Sequence, residues 1–577
     1  MGADCLRAHV LLIWCLTGLP APHPGAYGSP CVFACCHRWS SIMEPDPLRI
    51  SPFSAKDMLV AHARDVLGPD AALLDASRGG PNWQLRTVQC AWHVLGLYAD
   101  YCYGGPNDLP SVRVLAPDPP TDHAAHFRRF ADSVRDLRES LCLGMEYVER
   151  VWDYLHLEVY PDRWIGESIG AFALAMTAGY YPSPATLDFL PPIASRFLAR
   201  TFGVQQAPED FDLFLGHGAT GTFGAVVACM ARNELLRPGD KVAMVWPWYE
   251  PMKDLFENQY GCEVIPIQRR REQLWEADES ALAALDDPDL RLLVIVSPGN
   301  PVDTTLDDGL LSRIEQAVER NPDLVILCDY VYANFVETGY DNILRRAWRN
   351  VVAFYAPSKD LGLVGARLGV AWIPTASPLN RRLLQMSPAR ARKVDARYAS
   401  RSPRRRPGFY DRLVMDGSHV SFSHMAGLPT PSQVLLALCM LFPLAAPDEA
   451  GHYFRWVRTE LRGRMEALYD GLGMERESCT DVCRSNYCAL LPLDEVAANQ
   501  GPRCAEAFSR VPLWSFLEHL AHSRGTIIMP GPAFGGEAES ARICLTSLNK
   551  GAYRQVGRNI AEAVGDYTFP TPCQHCR

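Results

Sequence analysis

From about residue 211 the chain alternates short apolar runs with longer, helix-patterned stretches. Runs at 213–215, 242–245, 263–266, 292–296, 324–327 and 351–354 read as strands. Strands that alternate with helices predict an α/β domain built on a mainly parallel sheet. Upstream the pattern changes. Residues 44–110 read as an N-terminal arm and helices, and 121–160 as helices with apolar residues at i, i+3 and i+4. A Pro-bounded loop at 179–184 precedes a helix near 187–202. From Pro431 a long apolar helix leads into a smaller α+β domain with strands near 487–491, 526–529 and 543–546. The expected division is a leader at 1–42, an arm and helical segment at 43–200, a large α/β domain at 201–430, a small C-terminal domain at 431–570 and a tail at 571–577.

Composition narrows the picture without changing it. At 577 residues, 48% hydrophobic and 21% charged, the chain has a globular balance and room for two or more domains. Its net charge of −10 implies no general affinity for nucleic acid. The arginine-rich stretch at 386–412 therefore reads as a solvated helix or an oligomer contact. The 19 cysteines are scattered, which suits reduced thiols in a cytoplasmic enzyme better than a disulfide scaffold. Cys31, Cys35 and Cys36 near His37, and Cys573 with Cys576, lack a second ligand pair, so no metal site is expected. Cys479, Cys483 and Cys488 read as core or surface thiols. The apolar run at 8–19 is too short to span a membrane and reads as a disordered leader or a mis-assigned start rather than an export signal.

Candidate chemistry lies just after the apolar runs, where open α/β sheets bind ligands. Gly218-Ala219-Thr220 opens a helix, and amides at such a start favour an anion. Tyr249, in Pro247-Trp248-Tyr249, suits stacking on a flat ring, while Trp248 is as readily a core aromatic. Asn300 and Tyr332 can donate hydrogen bonds. Asp329 ends an apolar run, where an ionised carboxylate is costly unless paired; otherwise it reads as a helix N-cap. Ser358-Lys359 follows the next run, and Arg367 lies eight residues beyond the lysine. In that order these groups suit pyridoxal phosphate. Lys359 supplies an amine for a Schiff base, Asp329 a carboxylate for the ring nitrogen, Asn300 and Tyr332 donors for the phenolate oxygen, and Arg367 a cation for the phosphate.

The set resembles fold-type I pyridoxal-phosphate enzymes of the class I/II aminotransferase group. Within that group the resemblance is to the aspartate 4-decarboxylase family, from about Ser51 to Ile560. It is carried by Leu48-Arg49-Ile50-Ser51-Pro52-Phe53 with Lys56-Asp57, by Ser77-Arg78-Gly79-Gly80-Pro81-Asn82, by Asp411-Arg412-Leu413-Val414-Met415-Asp416 with His424-Met425-Ala426-Gly427-Leu428, and by Arg542-Ile543-Cys544-Leu545-Thr546-Ser547. The resemblance implies that Arg542 clamps a substrate α-carboxylate, that Arg78 and Lys56 meet a side-chain carboxylate and that Tyr181 lines the pocket. It also implies a homodimer or an assembly of dimers acting on an amino acid. The expected reaction is β-decarboxylation of aspartate or a similar amino acid, with accompanying transamination. The alternative is transamination, elimination or replacement on a different amino acid. The sequence departs from the family at Ala356, where a serine is usual, and at Ala366, where a tryptophan is usual.

Overall fold

The computed structural model describes residues 52–103, 122–134, 139–160, 165–180, 186–205, 208–248, 250–403, 405–418, 427–476 and 483–568. A two-residue strand, β1 (Leu74–Asp75), comes first. Seven strands then build the main sheet: β2 (Phe211–His217), β3 (Lys241–Trp246), β4 (Glu263–Gln268), β5 (Leu290–Val296), β6 (Val325–Asp329), β7 (Val351–Tyr355) and β8 (Leu368–Pro374). Their order is β2-β8-β7-β6-β5-β3-β4. Only β8 runs against its neighbours, β2 and β7. Every residue of β6, β7 and β8 is buried, as expected of sheet strands covered on both faces. The expected parallel sheet is therefore present, with one strand more than the apolar runs suggested. Gly369 and Pro374 interrupt the β8 pattern, and both residue types ordinarily mark breaks.

The first six helices of the chain divide between two cores. Of these, α2 (Arg86–Tyr103), α3 (His123–Val134), α4 (Glu139–Tyr154), α5 (Ile165–Met176) and α6 (Leu190–Phe202) share a core with Leu213, Leu215, Ile295 and Ile326. Helix α1 (Pro52–Leu67) instead puts Leu59 and Ala63 into the C-terminal core. On the other sheet face lies α7 (Gly218–Arg232), whose Phe223, Val226 and Val227 pack on Phe214, Leu327 and Phe354. Helix α8 (Thr430–Ala445) is buried in the first core, whereas α9 (Pro447–Leu472) enters the C-terminal core with Val457, Leu461 and Leu468. The rest of that core is α10 (Leu513–Arg524), α11 (Lys550–Gly565) and a three-stranded antiparallel sheet. In this sheet β12 (Ser540–Cys544) lies between β11 (Met529–Pro530) and β9 (Cys488–Pro492). The remaining strand, β10 (Thr526–Ile527), pairs with β1 and ties the N-terminal segment to this layer.

Among the described residues no single helix is long and apolar enough to cross a membrane; α8 and α9 meet the requirement only as a pair bent by 99°.

Candidate active site

The C-terminal edge of the main sheet opens into a cavity of about 420 Å³. Four of the strands supply it through the turns that follow them. After β2 comes the start of α7, after β5 the turn to Asn300, after β6 the turn to Tyr332, and after β7 the Ser358-Lys359 turn. Arg367 directly precedes β8, and because β8 is antiparallel its beginning lies at this same edge. Topology thus gathers side chains that are separated along the chain.

The cavity walls contain Ala219, Thr220, Asn300, Asp329, Tyr332, Ser358, Lys359 and Arg367. Gly218 has φ +75°, and a Cβ there would fall 2.5 Å from Arg367 Nη2. Glycine therefore lets the Arg367 guanidinium lie against the start of α7, where it donates to His217 O at 3.3 Å. One cation and the helix-start amides then converge on one corner of the cavity. Ala356 also lines the wall, so the hydroxyl that the sequence lacks there is missing from the cavity itself.

Asp329 is buried at the end of β6, and its Oδ1 accepts from Val331 N at 3.1 Å. This bond is a local turn and not a helix N-cap. Burial pushes the Asp329 carboxyl up to about 7, against the opposing effects of that hydrogen bond and of Lys359. Burial also pushes the Lys359 amine down, and Arg542 adds to the fall. The Lys359 Nζ donates to Gly79 O at 2.7 Å. A carboxyl that resists ionisation and an amine that resists protonation share one cavity, as is common where protons are moved.

The N-terminal segment and the small sheet complete the walls. Lys56 on α1 pairs with Asp75 at 2.5 Å, and Arg78 lies 3.6 Å from Asp57; both cations line the cavity. Arg542, in the middle of β12, is buried. Its Nε donates to Asn300 Oδ1 at 3.1 Å, its Nη1 to Ser77 O at 3.1 Å and its Nη2 to Cys488 Sγ at 3.6 Å. The guanidinium also stacks over Phe534, 4.4 Å from the ring centroid.

Of the residues singled out in the sequence, Lys56, Arg78, Ala219, Thr220, Asn300, Asp329, Tyr332, Ser358, Lys359, Arg367 and Arg542 are brought to this cavity, with Gly218 at its edge. Tyr181 and Tyr249 lie outside the described residues. So do Cys31, Cys35, Cys36, Cys479, Cys573, Cys576 and His424. Trp248 is a core residue packed on Trp246. Several contributors gave no signal in the sequence. The carbonyls of Ser77 and Gly79 are backbone groups, and Tyr487, whose hydroxyl donates to Gly79 O at 2.7 Å, looked like the start of a core strand.

The family model for "Aminotransferase class I and II" matches residues 153–560. A Pseudomonas protein named bifunctional aspartate aminotransferase and L-aspartate beta-decarboxylase is 31% identical, over 89% of this chain and 95% of its own. Among solved structures, an aspartate aminotransferase double mutant from Thermus thermophilus superposes with a TM-score of 0.56, at 15% identity over 91% of this chain and 98% of its own. A Mycobacterium tuberculosis aminotransferase gives 0.55, at 17% identity over 90% and 98%. The last two likenesses bear on the fold, which is fold-type I. The family match spans most of the chain and the Pseudomonas relative nearly all of it, so this protein is a member of the class I and II aminotransferases, an enzyme that depends on pyridoxal phosphate.

Proposed function

We propose that the enzyme releases the side-chain carboxylate of L-aspartate, or of an aspartate-like amino acid, as CO₂ to give alanine, with transamination as an accompanying activity. The observation that carries this reading is that one cavity holds the buried Arg542 and, from a separate segment, Lys56 and Arg78. A substrate with two carboxylates needs two cationic positions, since an unpaired carboxylate in a closed pocket is strongly disfavoured. The name of the Pseudomonas relative supports the same pair of activities.

The donor set fits the cofactor. A buried carboxyl with a raised pKa, such as Asp329, suits a protonated pyridine nitrogen. The Gly218-Ala219-Thr220 turn, Ser358 and Arg367 suit a phosphate. With its Oδ1 engaged by Arg542, Asn300 offers its amide NH₂ to the phenolate oxygen, and Tyr332 offers its hydroxyl. Tyr249 is proposed as the ring-stacking residue and Tyr181 as a pocket residue, both on sequence grounds. When bound, pyridoxal phosphate supplies an electron-withdrawing system joined to the substrate nitrogen.

The rest of the mechanism belongs to the chain. Lys359 would hold the cofactor covalently through its amine. Burial lowers the pKa of the Lys359 amine, which suits it to take the α-carbon proton and return it elsewhere. Arg542 holds the α-carboxylate. Lys56 and Arg78 orient the distal carboxylate, and their pairing with Asp75 and Asp57 tempers that grip. A moderate grip favours the reaction, because CO₂ departs neutral and a tight ion pair would stabilise the ground state. Exclusion of water from the cavity favours CO₂ loss over hydrolytic release of a 2-oxo acid.

The homodimer or assembly of dimers, the cytoplasmic location and the division at about residue 430 belong to the same reading. The test is to incubate the purified holoenzyme with L-aspartate and to measure CO₂, alanine and oxaloacetate together. Alanine and CO₂ in equal amounts are expected to exceed oxaloacetate. Inert aspartate, alongside rapid turnover of a neutral or bulky amino acid, would select the alternative chemistry.

A further inference from the structure

Cys488 and Cys544 face each other directly across the β9–β12 pairing. Residues opposite one another in an antiparallel pair have Cα atoms about 4.5–5.5 Å apart, within the span of a disulfide. Their sulfurs are 3.3 Å apart and both are free thiols. Side chains two apart on a strand share a face, so Cys544 lies on the face that carries Arg542. Cys488 Sγ accepts from Arg542 Nη2 at 3.6 Å. Gly79 lines the cavity, and a Cβ on it would sit 3.7 Å from Cys544 Sγ and 3.7 Å from Arg542 Nη2. Cys544 therefore lies behind Gly79, a cavity residue with no side chain that also packs on the Tyr487 ring, and Cys488 lies behind the cavity residue Arg542.

We propose that Cys488 and Cys544 are a redox modification site, closed to a disulfide by a small peroxide that enters through the cavity, and that closure weakens the hold of Arg542 on the amino-acid carboxylate. The Cys488 thiolate attacks one peroxide oxygen and breaks the O–O bond. Cys488 becomes a sulfenic acid and, with one proton taken up, the other oxygen leaves as water or alcohol. The Cys544 sulfur then attacks the Cys488 sulfur, and the sulfenic oxygen leaves as water with the Cys544 proton. The two sulfurs give up two electrons, and the peroxide takes them. Burial alone would raise the Cys488 thiol, but the hydrogen bond from Cys544 and the charge of Arg542 outweigh it and lower it. Burial holds the Cys544 thiol well above its ordinary value. The two thiols are thus unequal, with Cys488 the one that gives up its proton more readily. Closure turns the Cys488 sulfur to Cys544, so Nη2 loses its Sγ acceptor and the guanidinium is re-aimed.

The site itself stands on this geometry, whereas its effect on kinetics rests on the reading of Arg542 as the carboxylate residue. The test treats the holoenzyme with limiting hydrogen peroxide, maps peptides without reduction and measures KM and kcat before and after dithiothreitol. A Cys488–Cys544 linked peptide is expected, with KM for the amino acid raised about tenfold, in line with one lost charge-assisted hydrogen bond, and kcat changed less. Dithiothreitol should restore both constants, which separates the effect from sulfoxide formation at the cavity residue Met529. Cys544→Ser and Cys544→Ala should each abolish the reversible change, judged against that variant's own untreated kinetics. Absence of the linked peptide, a linked peptide with unchanged KM, or full peroxide sensitivity in both variants would overturn the proposal. If another amino acid proves to be the substrate, the linked peptide and the rise in KM for that amino acid keep this site, and only the decarboxylase reading falls.

Discussion

Lys359 and Asp329 carry the sharpest expectations at the scale of single residues. Lys359→Ala is expected to abolish the visible absorbance of lysine-bound cofactor and to cut turnover by roughly a thousandfold or more, as loss of a positioned acid–base group does. An unchanged spectrum would remove Lys359 from its role. Asp329 separates stability from activity. Its carboxyl is raised to about 7 by burial, so in cofactor-stripped enzyme it favours folding while protonated. That contribution is complete below the unfolded value near 4 and is lost as pH rises through about 7. Between pH 5 and pH 8 Asp329→Asn should thus gain roughly 1–3 kcal/mol of stability on the wild type in denaturant titrations of the stripped protein. The same substitution should cripple catalysis, because a neutral amide cannot hold a pyridinium proton. A stability difference between stripped wild type and variant that stays constant from pH 5 to pH 8 would contradict the buried-anion argument. Arg542 and Arg78 are told apart by kinetics. Arg542→Ala is expected to lower kcat/KM for every amino acid by about a hundredfold or more, whereas Arg78→Ala should chiefly change the ratio of alanine to oxaloacetate from aspartate.

At the scale of elements, the turn after β7 is held by close backbone contact. Gly362 has φ +71°, and a Cβ there would lie 1.9 Å from Trp83 O. The turn can accept the segment before α2 only because residue 362 has no side chain. The neighbouring Asp360 is buried and fixed on several sides: Tyr355 OH and Asn334 Nδ2 donate to its carboxylate at 2.7 and 2.6 Å, and Tyr453 OH to its carbonyl at 2.7 Å. Gly362→Ala is expected to destabilise the protein by about 1–3 kcal/mol, as overpacking against backbone does, and to loosen the cofactor by displacing Lys359. A shift in the denaturation midpoint together with weaker cofactor retention on dialysis would bear this out; an unaltered midpoint would show that the turn can yield. The strand β12 has a comparable part at the other wall. It places Arg542 and Cys544 on one face, and Ser77 O and Ala76 O meet it there as acceptors, from Arg542 Nη1 at 3.1 Å and from Cys544 N at 2.8 Å.

At the scale of the whole molecule, the cavity is built by segments from both ends of the chain. α1 and the 75–82 segment close it from one end of the sequence and β12 from the other. The holoenzyme is expected to run in light scattering at no less than twice its 64.2 kDa chain mass. Dilution to a monomer should remove activity along with the dimer, and a fully active monomer would contradict the proposed assembly.

The sequence by itself determined the α/β class, the strands β3, β5, β6 and β7 and the residues that follow them, because a strand buried on both faces must be an apolar run and because Asp329 and Lys359 are chemically out of place at the ends of such runs. It did not disclose β8, whose glycine and proline imitate a break, nor the paths of Ser77 and Gly79, whose working groups are backbone carbonyls common to every residue type. The neighbours of Arg542 were equally hidden. Cys488 reads as one more core thiol until antiparallel pairing sets it opposite Cys544, 56 positions along the chain. Apolar periodicity is a local property and survives in one dimension. Which backbone oxygen or which sulfur meets a guanidinium depends on strand register and on the docking of distant segments, and only the folded chain decides those.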